Sequence, residues 1–221
     1  MEHLHATLLA ILTGFVSGFI LSVPVGPVNL TIVNEGARRG LLWAALIGFG
    51  AVAMEAIYCA LAFTGFAVLF EGHVIKGIME VASFLFFLYL GIRFLRVHRI
   101  SEISVPKHQF VKLNPHSAFA IGFVRVMGNP GVFLFWIVLA TRFRARGLVE
   151  SSLMGSFSCV GGVIAGTGSW FSGLAYMVSR GHGKFTEKTL LRMEHISGIC
   201  LLIMAAGEGL HILWQLARHE L

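Results

Sequence analysis

The chain has 221 residues, of which 56% are hydrophobic and 13% charged, and a net charge of +6. A soluble domain carries about 25% charged residues; a chain with so little polar surface cannot cover itself in water, so its outer face must meet lipid. The bases lie between apolar runs rather than in one patch, which excludes a nucleic-acid surface and marks them as topology signals.

A membrane span needs about 20 mostly apolar residues to cross about 30 Å of hydrocarbon. Six runs qualify: 6–33, 41–69, 74–95, 117–140, 151–179 and 193–215. In lipid each backbone N–H and C=O must be paired within its own segment, so the runs predict helices and an all-α polytopic membrane protein. Met1 to His5 has no Lys or Arg, and the run that follows is too long for a leader's apolar core, so it is read as a retained span.

The first run contains Pro24-Val25-Gly26-Pro27-Val28-Asn29. Proline removes a donor and clashes with the preceding turn, and glycine frees the backbone, so this helix is expected to break inside the membrane. The second run carries Glu55, about 21 Å of helix from the start of the run. A carboxylate at that depth has no route to either interface. It is a candidate for proton exchange or for pairing with a cation, against the alternative of a structural Glu held by a neighbouring hydroxyl or Arg. In the third run, Phe84–Phe87 reads as lipid-facing or core surface.

Residues 97–116, with Pro106 and Pro115, form the one long connection and divide the chain into 1–96 and 117–221. Each half holds three runs, so the second enters the membrane from the opposite side. That is the sequence form of two inverted three-helix repeats. The fourth run carries Arg125 and then Gly128-Asn129-Pro130-Gly131, a second break at the place corresponding to the first. Paired interruptions point to a transport site, because irregular backbone at membrane depth is tolerated only around a cavity. The substrate-binding candidates are therefore Pro24, Gly26, Pro27, Asn29, Glu55, Arg125, Asn129 and Pro130. Arg125 can bind a substrate carboxylate, neutralise Glu55 or snorkel to the surface. Asn29 and Asn129 can bind substrate, or cap the backbone groups that the prolines leave unpaired.

Glu208 and His211 lie one turn apart on the last run and read as a solvated pair at the membrane edge, with a proton relay as the alternative. Glu80 and Glu194 sit near the starts of their runs and read as interfacial, and His3 and His5 lie in the tail. Trp43, Trp136 and Trp214 are candidates for interfacial belts, whereas Trp170 lies too deep. Glycines four apart, Gly14/Gly18, Gly36/Gly40 and Gly162/Gly166, indicate tight helix packing or dimerisation. Cys59, Cys159 and Cys200 lie in apolar runs without ligand spacing, so neither a metal nor a disulfide framework is expected. The first, third and fifth connections hold most of the Lys and Arg, which puts both termini outside the cytoplasm; Arg142, Arg144 and Arg146 argue the other way.

Pro24-Val25-Gly26-Pro27-Val28-Asn29 followed by Gly36-Ala37-Arg38-Arg39-Gly40 resembles the first-helix signature of the lysine-exporter (LysE-type) family of amino acid exporters. The span from Gly48 through Glu55 to Gly65 is similar to that family's second helix, which commonly carries Asp where this chain has Glu55. Tyr89-Leu90-Gly91-Ile92-Arg93 resembles its third-helix ending, and Asn129-Pro130 its fourth-helix Asn-Pro. The resemblance covers nearly the whole chain. It implies a secondary exporter of amino acids or related solutes in the bacterial cytoplasmic (inner) membrane, coupled to protons, without a cofactor, and often a homodimer. An exporter of metal or inorganic ions and a non-transporting membrane scaffold are the alternatives. No HExxH, GxSxG, paired-Asp or nucleotide-loop motif supports an enzyme.

Overall fold

The structure, a computed structural model, describes residues 2–66, 73–98, 114–180 and 187–217. Each apolar run becomes helix. The first is split into α1 (Glu2–Ser22) and α2 (Pro27–Arg39), and the second is α3 (Leu41–Leu61) ending in a π-helical turn over Ala62–Phe66. The third is α4 (His73–Leu95), and the fourth is split into α5 (Pro115–Met127) and α6 (Pro130–Ala145). The last two are α7 (Leu153–Arg180) and α8 (Glu187–Ala217). Most of the 97–116 connection, and the side chains of His3 and Glu80, lie outside the described residues.

Among the described residues, three helices are long and apolar enough to cross a membrane: Leu4–Ser22, Leu41–Thr64 and Lys188–Trp214. The α5–α6 pair, bent by 65°, adds a fourth candidate span. The fifth run misses the apolar criterion for a physical reason. Helix α7 is rich in Gly, Ser and Thr and is wedged against α1, α2 and α3, so much of it meets protein rather than lipid. By contrast, α1 and α8 expose rows of large apolar side chains such as Leu8, Leu12, Ile199 and Ile203.

Part of the helix pairing is reciprocal, although α2 packs on α3 and α6 has no comparable contact with α7 among the described residues. Helix α1 packs along α7 as α5 packs along α3; α2 also touches α7, as α6 touches α3; α4 pairs with α8 and α3 with α7. Glycine makes the closest approaches. A Cβ at Gly14 would collide with the Cys159 carbonyl, and one at Gly162 or Gly166 with the carbonyl of Ile11 or Phe15. Gly50 and Gly122 meet the carbonyls of Phe119 and Ile47 in the same way across α3 and α5. The two stripes read as packing or dimerisation, Gly14/Gly18 and Gly162/Gly166, are therefore used inside one chain and carry no argument for a second copy. Gly40 links α2 to α3 at φ 89°, a left-handed turn that a side chain rarely adopts.

Three expectations about charge are corrected. Glu208 does not form a solvated pair with His211. It is buried and ion-paired with Arg142, itself buried, and with Arg146 at 3.1 Å, tying α8 to α6. His211 stacks on Trp214 instead. Arg142 and Arg144 lie within α6 rather than in a loop, and Arg144 Nη2 donates to the Phe63 carbonyl at 2.8 Å, with its guanidinium 5.8 Å from that ring's centroid. Arg142 and Arg146 thus meet the Glu208 carboxylate, and Arg144 the Phe63 carbonyl in the π-helical turn. Glu194, read as interfacial, is also buried. Trp136, a belt candidate, is fully buried in the core around Phe87 and Phe135.

Candidate functional site

The two breaks are built alike. At the first, α1 stops at Ser22, the chain bends at Pro24, whose carbonyl accepts from the Gly26 N–H at 2.8 Å, and Pro27 opens α2 after an extended Gly26. A proline suits that first helical position because its missing N–H would have had no helical partner. Asn29 reaches back over the break: its Nδ2 donates to the carbonyls of Ser22 at 2.8 Å and Pro24 at 2.5 Å, and its Oδ1 accepts from Trp170 Nε1 of α7 at 3.2 Å. Glu194 of α8 closes the break from the other side, accepting the Val25 N–H at 2.6 Å. At the second break, α5 ends at Met127 and Pro130 opens α6. Asn129 accepts from Gly131 N–H at 3.1 Å, and Tyr58 of α3 donates to the Met127 carbonyl at 2.8 Å. Backbone groups freed inside the membrane thus find partners on the neighbouring helices.

Between the breaks lies a cavity of about 540 Å³, within the range of small-molecule sites. Pro24, Gly26, Pro27 and Asn29 line it from the first break, Arg125 and Asn129 from the second, and Glu55 from α3. Of the residues picked from sequence, only Pro130 is absent from the wall; it stands between the lining residues Asn129 and Gly131. The first turns of α2 and α6 line this space, so the positive ends of two helix dipoles lie at it; at α6 the first N–H groups are already taken, that of Gly131 by Asn129 Oδ1 and that of Val132 by the Asn129 carbonyl. Arg125 lies in the last turn of α5 beside the second break.

Glu55 is buried, with Thr167 Oγ1 of α7 at 3.5 Å from its Oε2 as a weak hydrogen-bond donor. No Lys or Arg is ion-paired with it among the described residues. The sequence reading missed two charged residues that share the cavity, Glu194 and Arg93. Glu194 lies about two helical turns into α8 and looked interfacial. The signal that would have found it is an acid placed to meet a broken span's spare N–H, which local spacing does not reveal. Aromatic side chains from other helices complete the wall: Phe86, Tyr89 and Phe94 of α4, Phe135 and Trp136 of α6, and Phe171 of α7. Among the described residues no group of three or more His, Cys, Asp or Glu gathers as metal ligands would.

The family model described as LysE type translocator matches residues 19–208. A protein of Bacillus subtilis (strain 168), named "Putative amino acid efflux protein YcgF", is 25% identical over 205 residues, covering 93% of this chain and 97% of its own. No solved structure matches. A membrane-embedded translocator, rather than an enzyme, is what the family match and the broken helices around one cavity have in common: the chain belongs to the LysE type translocator family.

Proposed function

We propose that the chain is a proton-coupled secondary transporter exporting amino acids or related small metabolites across a bacterial cytoplasmic membrane. In this reading it spans the bilayer six times as two inverted three-helix halves, 1–96 and 117–221, joined by 97–116. One observation carries the proposal: both helix breaks open onto one cavity, and Glu55, an acid without an ion-pair partner among the described residues, is in its wall. The reciprocal pairing of α1 with α7 and of α5 with α3 supports the inverted halves, and the relative named for amino acid efflux supports the substrate class.

The geometry gives each part a task. A substrate carboxylate meets the Arg125 guanidinium and the positive ends of the α2 and α6 dipoles. The substrate ammonium, or a proton in its place, goes to Glu55. An acid that holds either one but not both exchanges them, which is the minimum device for coupling. The breaks act as hinges, because a bend there disturbs few helical hydrogen bonds.

Counterflow tests the proposal. Vesicles containing the purified protein are loaded with one unlabelled amino acid, and labelled amino acids are offered outside one at a time. Accumulation of one or a few above protein-free vesicles is the expected result. Folded protein that accumulates none would overturn the amino acid assignment.

A further inference from the structure

From the cavity wall we infer that the substrates are amino acids with a large apolar side chain and no second charge. The inference rests on the transport reading above and concerns the same site. Two features of the wall carry it.

The first is the distribution of charge. Four charged side chains line the cavity: the acids Glu55 and Glu194, and the bases Arg93 and Arg125. Glu194 is already engaged, bonded to the Val25 N–H and within Coulombic reach of Arg93. Glu55 is left for one ammonium, and Arg125 for one carboxylate. That set suits a zwitterion. A lysine- or arginine-like substrate brings a second cation, for which the wall holds no further acid among the described residues, and an unpaired charge beside a largely apolar wall is costly. An acidic substrate would likewise need both arginines, one of which stands beside Glu194.

The second feature is the remainder of the wall. Phe86 and Phe135 lie with ring centroids 5.7 Å apart, and Phe94, Trp136, Leu90 and Leu201 extend the same apolar face from α4, α6 and α8. These side chains belong to one core cluster, which ends at the cavity. A small or hydroxylated side chain would leave this face without a partner. A leucine-, methionine- or phenylalanine-sized group covers it, and each buried methylene discriminates measurably.

The test is competition in the counterflow assay, with leucine, methionine, phenylalanine, alanine, threonine, lysine and glutamate as unlabelled competitors. The large apolar amino acids are expected to compete about tenfold better than alanine or more, and lysine and glutamate not at all. In Phe86→Trp, which fills part of the space, preference is expected to move from phenylalanine toward smaller apolar side chains. Transport with lysine, threonine or glutamate as the best competitor would overturn the inference and leave the amino acid reading standing. So would equal competition by alanine and phenylalanine, or an unchanged profile in folded Phe86→Trp. Folded protein that transports no amino acid would overturn both.

Discussion

Glu208 and Arg142 meet in the interior between α8 and α6, with Arg146 as a second partner. Removing one member of a buried ion pair leaves the other charged and unsolvated, at a cost of about 3–5 kcal/mol, whereas replacing both by apolar residues is often nearly neutral. Glu208→Ala is therefore expected to lower the thermal unfolding temperature in detergent sharply. Arg142→Met combined with Glu208→Leu should recover most of the loss. A single variant as stable as the parent would show that the pair is not a structural tie. Sequence alone misread this acid because position along a run gives depth but not the facing helix. Its partners belong to a cluster of arginines that resembles a loop. Glu55 was legible for the opposite reason: it lies so far from either end of its run that no partner is needed to mark it as unusual.

At the scale of helices, composition revealed the breaks but not the faces. Proline and glycine act on their own backbone, so Pro24 to Pro27 and Gly128 to Gly131 announce interruptions wherever they occur. Which residues touch depends on helix rotation, and so the glycine stripes were readable as contact surfaces without revealing the contact. Gly161 and Gly162 make this testable with adjacent positions. A Cβ at Gly162 would run into the backbone of Ile11 on α1, whereas at Gly161 it meets nothing within 4 Å. Gly161→Ala is expected to leave stability unchanged or raise it by up to about 1 kcal/mol through helix propensity. Gly162→Ala must push α1 from α7 and should lower the unfolding temperature and the yield of folded protein. Equal behaviour of the two variants would refute the α1–α7 contact. The same logic explains α7 itself: a helix packed on several sides needs small residues more than apolar ones, so its hydropathy understates how deep it lies.

Over the whole molecule, the arrangement brings both interrupted helices, an acid from α3 and an acid from α8 to one cavity, although these groups are spread over most of the chain. The candidate residues were legible because the two halves carry matching breaks. The aromatic wall and Glu194 were not, since α4 and α8 show no local signal that they turn toward the breaks. Glu55 is proposed to couple substrate to protons in this cavity. Uptake of a labelled substrate amino acid into vesicles under an imposed proton gradient, comparing the parent with Glu55→Gln, tests this. Glutamine keeps the shape and the Thr167 contact but cannot take up and release a proton. Gradient-driven accumulation is expected in the parent, with a fall to the level of protein-free vesicles in folded Glu55→Gln. Undiminished, gradient-dependent accumulation in Glu55→Gln would contradict it.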